Sequence, residues 1–247
     1  MNRICRVVLL CLTFQGLLHA TVINTTTAST IAAFQSGVNV VNFESISGRT
    51  PQAITAYTVG VPVSPSAFVF NQIPGVQFSV GGAVGTNEPA LYSLGGAIAG
   101  DAKSPTTVLG PVDFDFTTKF GSGAQIEIFF PTKVSRVGFW LNPSLGNVLL
   151  IAADTNFAFS GINENTLESG TVTAGNFVGI DRASADIGGF KIIGLGTNGF
   201  TIDDFTYGNA GTTSTVPESS SLALLILGLP AVGLFTASKF RNSASAA

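Results

Sequence analysis

Apolar and polar residues alternate strictly along much of this chain. Val112, Phe114 and Phe116 are spaced by Asp113 and Asp115; Val76, Phe78 and Val80 by Gln77 and Ser79; Ala124, Ile126 and Ile128 by Gln125 and Glu127. A period of two puts one residue class on each face of a strand, so these segments read as half-buried antiparallel strands. Further strands are expected over 38–43, 68–70, 133–141, 148–153, 171–172, 177–180, 190–195 and 200–207, separated by Gly, Pro, Asn and Ser turns. No long segment repeats at helical spacing outside the two apolar stretches at the termini. Many short strands at this spacing predict an all-β domain over 38–208, an antiparallel β-sandwich or jelly roll. The Thr-rich start of 21–37 reads as a flexible lead-in, and 209–215 as a Gly/Thr/Ser linker.

The terminal stretches carry targeting information. Residues 219–238 hold no charge and are followed by Lys239 and Arg241. At about 1.5 Å rise per residue they reach roughly 30 Å as a helix, enough for a bilayer core, so 219–238 is expected to be a transmembrane helix. The cations that close it belong on the cytoplasmic side, which leaves the preceding chain outside. At the other end, Arg3 and Arg6 precede residues 7–18, apolar apart from Thr13 and Gln15, and Leu18, His19 and Ala20 end in a small residue. That pattern is a signal peptide over 1–20, with the mature chain starting near Thr21.

Removing the leader takes both cysteines, Cys5 and Cys11, and the one histidine, His19. Hydrolases built on a His base, His-ligated metals, zinc fingers and iron–sulfur clusters then lack an obligatory group. Residues 21–216 contain thirteen acids and seven bases, so the exported body is more acidic than the whole-chain net charge of −3 suggests. No basic cluster is present to neutralise phosphates, which argues against nucleic acid as a partner.

Two motifs need weighing. Gly194, Gly196 and Gly199 match a dinucleotide-binding pattern, but that pattern works only when a helix N-terminus follows. Here Phe200 to Phe205 read as a strand, so Asn198-Gly199 is expected to be a hairpin turn. Paired carboxylates would suit a glycosidase, yet no strand places two Glu on one face. Asp113 and Asp115 do share a face, where they read as a solvated outer surface. Asp203 and Asp204 are adjacent and point to opposite faces unless a bulge re-aims one.

Val216, Pro217 and Glu218, followed by the apolar span and the basic end, resemble the PEP-CTERM sorting signal of Gram-negative bacteria. Ser219 stands where that family usually has a second Pro. The resemblance implies a membrane exosortase as partner, an inner-membrane stage before processing, and association with extracellular polysaccharide.

The body also resembles the jelly-roll domains related to carbohydrate-binding modules that often precede such tails. The matching pieces are Asn42 to Glu44, Val134 to Trp140, Asn176 to Ile180 and Ile202 to Gly208. The resemblance implies a structural calcium joining Glu44 of the first strand to Asp203 or Asp204 of the last. Calcium takes roughly six to eight oxygens, so backbone carbonyls and Asn or Thr would complete the shell. It also implies sugar stacking on an exposed aromatic, for which Trp140, Tyr57, Tyr92 and Tyr207 are the candidates. Val137, Phe139 and Leu141 share one strand face, so Trp140 is expected on the other, under a covering loop or at a binding surface.

Two readings of function follow. One is a non-enzymatic cell-surface or matrix protein, with calcium and glycan as candidate ligands; the other is a carboxylate-dependent glycoside or polysaccharide hydrolase.

Overall fold

The computed structural model describes residues 20–57, 63–78, 89–112, 125–154, 166–196 and 199–210. In chain order these form β1 (Thr21–Thr25), α1 (Ala28–Gln35), β2 (Asn39–Val41), β3 (Gln52–Ile54), β4 (Gln77–Phe78), β5 (Pro89–Leu94), β6 (Thr107–Pro111), β7 (Gln125–Val134), β8 (Arg136–Leu141), β9 (Val148–Ala153), β10 (Thr166–Val172), β11 (Phe177–Asp181), β12 (Ile187–Gly194) and β13 (Ile202–Gly208). Asp113 to Phe116 of the expected strand, residues 1–19 of the signal peptide, 211–215 of the linker and the whole tail lie outside the described residues.

The strands make two sheets. The first runs β1-β11-β8-β13-β6-β5-β3, with β2 also on β13; the second runs β10-β9-β12-β7-β4. Every described pairing is antiparallel except β3 with β5. Apolar positions at period two meet between the sheets. Val137, Phe139, Val178, Ile180 and Phe205 from the first pack with Ile126, Ile128, Leu150, Phe190 and Ile192 from the second. The rings of Phe139 and Phe190 meet edge to face, 6.5 Å between centroids. The chain is an antiparallel β-sandwich, as its alternation predicts.

Sequence and structure part company at several places; the strand expected over 68–70, for one, is only an isolated bridge from Phe68 to Ala90. Residues 21–37, expected to be a flexible lead-in, instead include β1, paired along its length with β11, and the helix α1. Helix α1 lies on the outer face of the first sheet because Ile31 and Phe34, one turn apart, are both buried there against Phe177. Phe34 fits a slot made by two glycines: Cβ atoms at Gly138 and Gly179 would fall 2.9 and 3.2 Å from its ring. Arg136 closes the helix C-terminus, donating to the carbonyls of Ala33 and Phe34 while paired with Asp181 at 2.9 Å. The expected single strand over 133–141 is two strands, β7 and β8, broken at Ser135. Strands β5 and β6, buried on both faces, show no alternation and escaped the pattern.

A second cover lies on the outer face of the first sheet, where Val63, Phe68 and Leu145 bury Tyr92, Leu94 and Val108 of β5 and β6. The helical cover near β8 and β11 and this loop cover near β5 and β6 leave a gap over β8 and β13.

Candidate functional site

The gap is a cavity of about 140 Å³, lined by Trp140, Leu141, Asn142, Lys103, Asp101, Thr201, Ile202 and Asp203 with Gly100, Ala102, Val108, Pro143 and Gly175. Register explains why Trp140 and Asp203 share it. Asp203 pairs with Trp140 and Thr206 with Gly138, so three steps along β13 match two along β8. Asp204 is the extra residue, a bulge with φ +46°. Without it Phe205 and Tyr207 would face outward. With it both enter the core and Asp203 and Thr206 stay on the outer face beside Trp140 and Gly138.

Trp140 is half-buried, its edge against Phe177 at 6.0 Å. The Lys103 ammonium stands over its ring, 4.4 Å from the centroid, a cation–π contact at an exposed mouth. Beneath lies a fixed polar network. The Tyr57 hydroxyl donates to Asp101 at 3.0 Å and accepts from Asn142, whose amide also donates to Thr201 Oγ1 at 2.9 Å. Asn142 Oδ1 accepts from the Ser144 amide at 2.8 Å. Burial first, then the charge of Asp101, push the Tyr57 hydroxyl well up, so it remains protonated at ordinary pH. Tyr92 and Tyr207 are core residues, Tyr207 stacked on Phe205.

The expected acids converge beside this cavity. Phe43, at φ +61°, turns inward into the core and returns Glu44 toward the segment 103–107. Glu44 Oε1 accepts from the amides of Thr106 and Thr107 at 2.9 and 2.7 Å, and Oε2 from the Thr107 hydroxyl at 3.1 Å. Asp203 Oδ2 accepts from the amides of Lys103 and Ser104 at 2.8 and 2.7 Å, and Oδ1 from that of Asp204 at 2.7 Å. The Ser104 hydroxyl bridges the group, 2.8 Å from Asp203 and 2.9 Å from the Asn42 carbonyl. Burial pushes Glu44 up, but the two threonine amides and the hydroxyls of Thr107 and Ser104 outweigh it and hold this carboxyl below its usual range. Burial dominates at Asp203, which is raised despite its amide donors. Asp204 is raised by burial and then by the charge of Asp203, with Lys103 opposing.

Glu44 and Asp203 therefore meet on one segment, while Asp204 contributes its amide and its bulge. As a calcium shell the set fits poorly, because three of the four carboxylate oxygens of Glu44 and Asp203 already face backbone N–H donors and the fourth, Glu44 Oε2, faces threonine hydroxyls rather than an open centre. The sequence reading missed Ser104, Thr106 and Thr107, whose run Ser-Pro-Thr-Thr is a dense set of turn hydroxyls, and it missed Lys103 and Asn142. The glycine pattern at 194–199 precedes β13, a strand, and Gly199 has φ +69°, but β12 and β13 belong to different sheets, so the turn is not the hairpin expected.

The search against family models and the search of curated proteins each found no match. Among solved structures the chain is similar to TmCBM61 in complex with beta-1,4-galactotriose, with 18% identity, TM-score 0.32, and 57% of this chain and 97% of that one covered. It is also similar to the enzymatically active domain of bacteriophage CBA120 tailspike protein 4, with 17% identity, TM-score 0.30, and 59% and 22% covered.

Proposed function

We propose that the chain is an exported, non-enzymatic β-sandwich protein of the cell surface or matrix that binds the end of a neutral glycan in the Trp140 cavity. The cavity itself carries the reading. It combines an aromatic ring with the polar side chains of Asp101 and Lys103 over the fixed Tyr57–Asn142–Thr201 network, a mixture that orients a hydroxyl-rich ring. Its volume, about 140 Å³, is below the roughly 300 Å³ at which small-molecule pockets usually begin, which favours one terminal sugar over a longer chain. The acids nearby, Asp101, Asp203 and Asp204, favour a neutral ligand over an anionic one.

One observation favours a hydrolase: Asp101 and Asp203 both line the cavity. Against it, the oxygens of Asp203 are engaged by three amides and a hydroxyl, and Asp101 accepts from Tyr57. A general acid or nucleophile needs a carboxyl free to meet the glycosidic oxygen or carbon.

Export rests on the terminal sequences. Val216, Pro217 and Glu218 before the apolar span, with Lys239 and Arg241 after it, support handling by an exosortase at the inner membrane and delivery outward. Among the described residues no helix is long and apolar enough to cross a membrane, and the tail lies outside them.

The deciding experiment is a binding screen of the full-length chain on immobilised neutral and acidic glycans, with Trp140→Ala beside it and released sugar measured in parallel. Retention by a neutral glycan that Trp140→Ala loses, without released sugar, is expected. Turnover would move the chain to the hydrolase class, and no retention on any glycan would remove the ligand. For sorting, cell fractionation with and without the host exosortase should show the full-length form trapped in the inner membrane in its absence, and Pro217→Ala with Glu218→Ala should reproduce that. Unchanged size and location would remove the sorting assignment.

A further inference from the structure

We propose that the segment 103–107 takes the place of calcium between the turn after β2 and the strand β13, acting as an internal ligand for Glu44 and Asp203. Two carboxylates brought together on a β-sandwich need cationic or N–H partners to offset their desolvation and mutual repulsion. A metal would supply charge. Here four consecutive-loop amides, those of Lys103, Ser104, Thr106 and Thr107, supply donors at 2.7 to 2.9 Å, two to each acid.

Of the four carboxylate oxygens, only Glu44 Oε2 lacks an amide partner among the described residues, and it faces the Thr107 and Thr106 hydroxyls at 3.1 and 3.5 Å. Glu44 Oε1 and Asp203 Oδ2 each accept two amides, the full capacity of a carboxylate oxygen's lone pairs. Asp203 Oδ1 takes the Asp204 amide and lies 2.8 Å from the Ser104 hydroxyl. Drawing these oxygens toward a cation would strip up to five backbone N–H groups of their partners, and each orphaned donor is costly in a part-buried site. Pro105 lacks an N–H, so the segment 103–107 offers every backbone N–H it has.

The backbone is bent to serve this contact. Phe43 and Asp204 flank the two acids in sequence, and both adopt the left-handed region at φ +61° and +46°. Such conformations persist only where surrounding structure over-determines them. The Phe43 conformation lets one residue fill the core while the next reaches the segment; the Asp204 conformation keeps Asp203 outward and adds its own amide to Oδ1. Because the Lys103 amide is one of the four donors, the latch also sets where the Lys103 side chain starts, and so holds its ammonium near Trp140.

The test is thermal melting of the full-length chain in mild detergent, in millimolar calcium and again in excess chelator, with calcium binding followed by titration calorimetry. The expected result is one melting curve in both conditions and no calcium heat. A lower melting temperature in chelator, or stoichiometric calcium binding, would overturn the proposal. Ser104→Ala and Glu44→Gln should each lower the melting temperature by roughly 4–8 °C, equally with and without calcium, because hydrogen bonds to a charged group are lost. If both variants melt like the parent chain, the latch is refuted. If either fails to fold, the parent chain's response to chelator still decides between ion and segment.

Discussion

The Lys103 ammonium lies 4.4 Å from the centre of the Trp140 ring, and the backbone amide of the same lysine is bonded to Asp203, the residue paired with Trp140 across β8 and β13. One residue thus ties the latch to the cavity. A sugar ring stacking on Trp140 must share that face with the ammonium or displace it. Lys103→Ala should therefore change retention on the glycan that the parent chain binds while moving the melting temperature by no more than about 1–3 °C, since an exposed cation–π contact is worth about 0.5–1 kcal/mol. Affinity chromatography beside a melt separates the two effects; unchanged retention would detach Lys103 from the site.

The slot for Phe34 is a tight packing feature outside the central core. A Cβ at Gly179 would lie 2.6 Å from the Val137 carbonyl oxygen and 2.8 Å from the Gly138 Cα, both backbone atoms in a paired strand. Gly179→Ala should cost about 2–3 kcal/mol, an overpacking penalty that cannot be relieved by a side-chain rotation. Phe34→Ala, which empties the slot instead, should cost about 3 kcal/mol and loosen α1. Denaturant melts with a fixed m-value would measure both, and near-parent stability for Gly179→Ala would contradict the β8–β11 pairing.

Glu44 and Asp203 make opposite contributions to the acid side of the stability curve. The folded-state pKa of Glu44 is lowered, so its stabilisation is present above the unfolded pKa and is lost as pH falls through the folded one. The difference in melting temperature between the parent chain and Glu44→Gln should therefore be largest near neutral pH and shrink below about pH 4. A difference that grows toward acid would reverse the sign of the argument.

Asp204 has a raised folded-state pKa, so its charged form is disfavoured on folding; that cost is absent below the unfolded pKa and develops as pH rises through the folded one. Asp204→Asn removes the charge and keeps a residue that tolerates the left-handed region. Its melting temperature should rise by about 1–3 °C at pH 7 and match the parent chain in acid, a modest gain because the side chain is partly solvated and screened. A fall at pH 7 would show that the carboxylate has a partner worth more than its desolvation.

Short apolar runs bounded by turn residues located β9 and β11 nearly to the residue, and alternation placed Val137, Phe139 and Leu141 on the core side of β8, because period-two patterning is a local property of a half-buried strand. It could not reveal β5 and β6, whose burial on both faces erases the alternation, nor β1 and α1, whose polar, Thr-rich residues are held by partners more than a hundred positions away. The triplet Ile202, Phe205 and Tyr207 already carried the misstep in period that the bulge at Asp204 resolves, but only the pairing with β8 says which residue is extra. Glu44 and Asp203 could be named from the sequence as candidates for one site. That their oxygens meet amides of residues 103–107 was decided by tertiary structure alone, since backbone donors are present at every position except proline and only the fold chooses which of them face a carboxylate.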